Sequence, residues 1–180
     1  MRSFIAIEMQ NEEIGEIQAQ LREANAKIKF VEPENLHLTL KFLGEVREDL
    51  IDEIHEVMKR SFEDFGKFEV HLKGVGVFPN LRYIRVIWVG IEKNKETISE
   101  MQKALDKNIA ELGFERERRF DPHLTIGRVK SAKNRDKLVE MIRGMEDIGI
   151  GDIAIDRVEL KKSVLTPKGP IYTTVREVRL

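Results

Sequence analysis

Apolar and polar residues along this chain alternate between a two-residue and a three-to-four-residue period. Ser3 to Met9, with Phe4, Ile5 and Ile7 apolar, reads as a strand. Asn11 is placed to cap a helix running to about Ala26, where Ile14, Ile17 and Leu21 recur at helical spacing. Lys29 to Val31 is short and extended, and Pro33 precedes a second strand, Leu36 to Leu43, closed by Gly44. Glu48 to Phe62 is predicted to be a helix with Leu50, Ile51, Ile54, Val57 and Met58 on its apolar stripe. Phe68 to Leu72 reads as a strand, Gly74 to Asn80 as a loop, and Arg82 to Ile91 as a strand rich in β-branched and aromatic residues.

The second half repeats the theme. Glu96 to Leu112 is predicted to be a helix stopped by Gly113. Arg116 to Phe120 leads through Asp121-Pro122 into a strand from His123 to Val129, and Asp136 to Ile142 is a short helix. Ile153 to Val164 and Tyr172 to Val178 are strands joined by a Thr-Pro-Lys-Gly-Pro turn. No linker or low-complexity stretch divides the chain. The mixed order predicts an α+β fold, one domain over residues 1–180. It would hold two similar lobes, each an antiparallel sheet with helices outside, facing across a central cleft.

Composition narrows the chemistry. With 180 residues, 41% apolar and 35% charged, the chain folds as one generous domain or two small lobes sharing a core. The formal charge of −1 gives no global attraction to polyanions, so such a site needs a local concentration of Lys and Arg. The absence of cysteine excludes disulfides, thiolate nucleophiles and Cys-ligated metals. No apolar run is long enough for a bilayer, and the opening MRSFIAIEM is too interrupted for a signal peptide, so a cytoplasmic location is expected.

Against this plain background one pattern stands out. His37-Leu38-Thr39-Leu40 returns as His123-Leu124-Thr125-Ile126, about half the chain later. In a strand, His37 and Thr39 share one face while Leu38 and Leu40 take the other, and the second copy behaves alike. Two such faces brought together pair an acid with a base, both accessible near neutral pH. Phosphoester cleavage profits most, because its alkoxide leaving group is poor without a proton. A threonine on the same face can bind a phosphate oxygen, and cations nearby stabilise the developing charge. Lys41 shares the face of His37 by simple alternation. Arg128 does not share that of His123 unless Gly127 brings a bulge or bend.

Plainer readings stand beside these. The threonines could serve only as strand formers, and Lys41 could merely flank Phe42 and Leu43. Phe78 could stack a base or plug the core. His55 and His71 lack a companion motif and read as structural. No third ligand sits at metal-binding spacing from the two histidines, so neither a metal nor a cofactor is expected. Arg82, Arg85, Arg116, Arg118, Arg119, Lys130 and Lys133 are candidates for a local basic rim, although Glu115 to Arg119 is mixed in sign.

Taken together, the run Pro33 to Glu45, the run Pro122 to Arg128, Gly76-Val-Phe-Pro79 and Arg85-Val-Ile-Trp-Val-Gly90 resemble the 2H phosphoesterase superfamily. Within it they resemble the RNA 2′,3′-cyclic phosphodiesterases, also called 2′-5′ RNA ligases, over essentially the whole chain. The resemblance implies a two-lobed fold and metal-free, ATP-independent hydrolysis of RNA 2′,3′-cyclic phosphate ends to 2′-phosphates. The reverse-type reaction is 2′-5′ ligation. It implies His37 as the acid protonating O3′ and His123 as the base activating water, roles the near-symmetric motifs allow to be exchanged. Thr39, Thr125 and Arg128 would hold phosphate oxygens, and the partner would be RNA met by a monomer. A small cyclic nucleotide or cyclic ADP-ribose phosphate is the alternative substrate, and non-catalytic binding of RNA ends the alternative role.

Overall fold

The computed structural model describes residues 1–180. Its elements run β1 (Arg2–Glu8), α1 (Glu12–Arg22), β2 (Ile28–Phe30), β3 (His37–Glu45), α2 (Ile51–Phe62), β4 (Phe68–Asn80), β5 (Tyr83–Ile91), α3 (Lys95–Ile109), β6 (His123–Val129), α4 (Arg135–Arg143), β7 (Gly149–Ile155), β8 (Arg157–Thr166) and β9 (Gly169–Arg179). Asn11 caps α1 as expected, its side chain accepting from the Glu13 N–H at 2.7 Å.

Two antiparallel sheets form, one in the order β3-β1-β8-β9 and the other β2-β6-β5-β4-β7. Each motif strand lies beside the opening strand of its half, β3 against β1 and β6 against β5. The next strand inward crosses between halves. β4, from the first half, completes the sheet of β6 and β5, whereas β8, from the second, completes the sheet of β3 and β1. α2 and α3 pack on each other and against the first sheet, and α1 packs against β6 and β7 of the second. One connected core joins Ile5, Ile7 and Leu160 of the first sheet to Ile87, Val89 and Leu124 of the second.

Two expectations need correction. Gly74 to Asn80 is not a loop but the second part of β4, paired with β5 as Gly76 to Trp88 and Phe78 to Val86. Gly76 is there for close approach: a Cβ on it would fall 2.2 Å from the Trp88 ring. Pro79 is tolerated because β7 pairs only with residues 68–73, which leaves this stretch of β4 at a sheet edge. The predicted strand from Ile153 to Val164 is two strands, broken at Asp156, and β7 and β8 belong to different sheets. Apolar periodicity continues through the break because both sheets bury one face.

Because each sheet is completed by a strand from the other half, the two lobes are expected to unfold together. Denaturant unfolding followed by Trp88 fluorescence, which reports the second sheet, and by far-UV circular dichroism should give coincident transitions. Separated midpoints would show two independent units.

Candidate active site

The position of every motif side chain follows from the unpaired residue that comes directly after each motif threonine. On β3, Thr39 lies opposite Ala6 and Lys41 opposite Ile5, so Leu40 has no partner. On β6, Thr125 lies opposite Trp88 and Gly127 opposite Ile87, so Ile126 has none. Such a bulge shifts the in–out alternation by one residue. Leu40 and Lys41 are therefore both buried, as are Ile126 and Gly127, and the next residues, Phe42 and Arg128, return to the face of the histidines. The Ile126 carbonyl accepts from the Val31 N–H, which continues the β2–β6 ladder, and from the buried Gln18 amide, each at 3.0 Å.

These bulges resolve Arg128 one way and Lys41 the other. Arg128 reaches the cleft, and its charge bears on His37 and Tyr172, which belong to the opposite sheet. Lys41 does not share the face of His37, contrary to the simple alternation. It is 3% exposed and its Nζ donates to Asp106 Oδ1 of α3 at 2.8 Å and to the Glu115 carbonyl. Burial pushes the Asp106 carboxyl up, but bonds from Lys41, the Glu117 N–H and Arg116 outweigh it and hold the group below the usual carboxylate range. Arg116 accordingly belongs to this structural cluster and not to a basic rim.

The two imidazoles are held alike. His37 Nδ1 lies 2.7 Å from the Asn35 carbonyl, and His123 Nδ1 lies 2.7 Å from the Asp121 carbonyl. A carbonyl can only accept, so each Nδ1 carries the proton and each neutral ring keeps Nε2 as a free base. Pro33 and Pro122 shape the turns that present these carbonyls two residues before each histidine.

The walls around the rings differ. His37 packs against Phe4 at 4.9 Å between ring centroids and meets Tyr172 edge-on at 5.3 Å. Glu8 sits opposite His37 in the β1–β3 register and is bonded to Lys161 at 2.6 Å. Burial lowers the pKa of His37 below the ordinary histidine value, with the charges of Lys161 and Arg128 adding to the fall and the Asn35 carbonyl and Glu8 opposing it. Burial raises the Tyr172 hydroxyl, against the pull of Arg128 and Arg2. On the other wall the Phe78 ring stands edge-on to His123 at 4.9 Å and packs on Trp88 at 5.3 Å. Trp88 lies opposite Thr125 in register. Thr39 and Thr125 are both partly exposed on the histidine faces.

His55 and His71 stand apart, as expected: His55 Nε2 donates to the Glu177 carbonyl and His71 pairs with Asp152. Reading the sequence missed Phe4, Tyr172, Glu8 and Lys161, which reach His37 only through the β3-β1-β8-β9 order. It also missed Gln18, whose single signal was a polar residue inside the apolar pattern of α1. The side chains form no cluster of three or more His, Cys, Asp or Glu residues placed to hold a metal ion.

Known proteins resemble this chain over nearly its whole length. A family model described as LigT like phosphoesterase matches the chain twice, over residues 5–88 and 89–172. The RNA 2′,3′-cyclic phosphodiesterase of Methanothermobacter thermautotrophicus is 45% identical, covering 100% of this chain and 99% of that one. The protein of the same name from Thermotoga maritima is 40% identical over 98% of this chain and 94% of its own. Among solved structures, TT0787 of Thermus thermophilus superposes with a TM-score of 0.78 at 29% identity, covering 100% and 98% of the two chains. LigT of E. coli in complex with 3′-AMP superposes with a TM-score of 0.79 at 25% identity, over 99% and 97%.

The place of Lys41 can be tested by stability. Lys41→Ala leaves Asp106 buried without its main partner and should cost about 3–5 kcal/mol of unfolding free energy. Lys41→Ala with Asp106→Ala should recover part of that loss. A variant of wild-type stability would remove the structural assignment.

Proposed function

The chain belongs to the LigT-like phosphoesterases of the 2H superfamily, and we propose that it hydrolyses RNA 2′,3′-cyclic phosphate ends to 2′-phosphates by acid–base catalysis between His37 and His123. The observation that carries this reading is the matched anchoring of the two imidazoles: Nδ1 is fixed in both, Nε2 is free in both, and Arg128 of one sheet acts on His37 of the other. The relatives' names supply the substrate class.

In this mechanism the cyclic phosphate sits between the rings. His123 Nε2 takes a proton from water as the oxygen attacks phosphorus. The bond from phosphorus to O3′ breaks, and His37, as imidazolium, gives its proton to O3′. The product carries a 3′-hydroxyl and a 2′-phosphate, and the two histidines have exchanged protonation states. Thr39, Thr125 and Arg128 hold the non-bridging oxygens, where charge grows in the transition state. Phe78, against His123, offers its ring to the terminal base. With the 5′-hydroxyl of a second RNA in place of water, the same steps in the same direction form a 2′-5′ linkage. Lys41 has no part in binding. The protein is taken to act as a monomer, in the cytoplasm and without metal.

Burial of His37 gives the cycle an order. The free site favours its neutral form, and an anionic phosphate arriving beside the ring restores the imidazolium that O3′ requires.

An oligonucleotide with a 2′,3′-cyclic end should be converted to the 2′-phosphate in EDTA, without nucleotide. His37→Ala and His123→Ala should each lower kcat about 10²–10⁴-fold, and Arg128→Ala about 10²-fold. Abolition by EDTA, or a 3′-phosphate product, would overturn the mechanism. Turnover of mononucleotides only would favour the small cyclic substrate. Tight RNA binding with no turnover would favour an RNA-end binding protein.

Single-histidine variants assign the roles, because with one imidazole removed only the other shapes the pH profile. With His37 as the acid, the residual kcat/KM of His123→Ala should fall as pH rises through a value below about 6.5, the ordinary histidine pKa. The matching limb of kcat, which reports the complex, should lie higher because the bound phosphate favours the imidazolium. A residual kcat/KM of His123→Ala that rises with pH through that range would make His37 the base.

A further inference from the structure

Phe42 is 69% exposed, and its position is not accidental. The bulges make it the counterpart of Arg128: each is the fifth residue after its motif histidine, and each returns to the cleft face. Where the second motif offers phosphate a guanidinium, the first presents a bare aromatic ring.

That ring ends an aromatic row on the His37 wall. Phe42 lies 6.3 Å from Phe4, ring to ring, and Phe4 touches both His37 at 4.9 Å and Tyr172 at 5.0 Å. Phe4 is only 4% exposed and already fills the space beneath, so Phe42 is not needed as a plug and keeps its outer face open. Arg2 stands two residues before Phe4 on β1, hence on the same face, and its charge is felt at Tyr172. Arg128 bears on Tyr172 from across the cleft. An exposed ring on a wall that also carries guanidinium charge is the chemistry that holds single-stranded nucleic acid, the ring stacking a base and the cations following the phosphates.

We propose that Phe42 is a stacking platform for the base of the nucleotide that precedes the cyclic end, so that the His37 wall binds the incoming RNA strand while Phe78 on the His123 wall takes the terminal base. This inference rests on the phosphodiesterase reading for its substrate. It implies that the protein prefers oligonucleotides to mononucleotides carrying the same cyclic terminus, and that Phe42 is the source of that preference.

The test is the ratio of kcat/KM for a tetranucleotide to that for the matching nucleoside 2′,3′-cyclic phosphate. In Phe42→Ala the ratio should fall about tenfold, the usual scale of one lost stack, and Phe42→Trp should restore it. A tetranucleotide with an abasic residue before the terminus should lose the preference in the wild type and be indifferent to Phe42→Ala. Binding of the tetranucleotide 2′-phosphate, followed by fluorescence anisotropy, should weaken about tenfold in Phe42→Ala, and Arg2→Ala should reduce its salt dependence. A ratio that stays within twofold in Phe42→Ala overturns the proposal. So does an unchanged ratio accompanied by loss of a dimer in sedimentation, which would give the ring to a second copy of the chain. If the wild type turns over no cyclic phosphate but the binding difference persists, the hydrolytic reading fails and the platform stands.

Discussion

The unpaired residue directly after each motif threonine governs the rest of this site. Without the bulges at Leu40 and Ile126, strict alternation would put Arg128 into the helix-covered face and Phe42 with it. It would also drive the Lys41 ammonium into the cleft and leave Asp106 buried alone on α3. The bulge thus sorts three charged or aromatic side chains at once. At the bulge of the second motif the Ile126 carbonyl is held by Val31 and by the Gln18 amide, so β2 and α1 brace the strand there. The residue after the bulge answers local packing. Gly127 sits where a Cβ would meet Ile28 and Phe30 at 3.0 and 3.4 Å, whereas Lys41 at the matching place has room to reach α3.

Strand exchange then fixes the two walls against each other. β4 and β8 each complete the sheet of the opposite half, so the spacing of the histidines is set by the hydrogen-bonded ladders of both sheets. Lys41 adds a second tie. From β3 it holds the Glu115 carbonyl, and its partner Asp106 holds the Glu117 N–H, in the connector that leads to Asp121 and His123. A residue of the first motif strand therefore helps position the approach to the second.

Much of this was legible in the sequence because it rests on local rules. The paired His-x-Thr strands, the Asn11 cap, the helical stripes and the α+β order follow from periodicity and turn chemistry. What stayed hidden depends on pairing. A bulge leaves no signature in the apolar pattern of its own strand, so Lys41 was given the wrong face and Arg128 an unresolved one. The strand character of Gly74 to Asn80 depends on Trp88 lying across Gly76, a neighbour on another strand. Phe4 and Tyr172 lie at opposite ends of the chain and meet His37 only through the sheet order.

The two motifs are near copies, and chemistry in one direction needs them to be unequal. The structure breaks the symmetry through surroundings, not through the motifs themselves. His37 lies among Phe4, Tyr172 and the Glu8–Lys161 pair, where burial favours a neutral ring. His123 has Phe78 at its edge and Arg128 farther along its own strand. A site that keeps one imidazole neutral until an anion arrives ties protonation to occupancy, because the phosphate itself supplies the charge that stabilises the imidazolium. In the proposed cycle the acid is therefore armed by its substrate, and Phe42 in the place of a second arginine is consistent with this. Another guanidinium on the His37 wall would add to the positive field that already depresses that ring, and would work against the proton that O3′ needs.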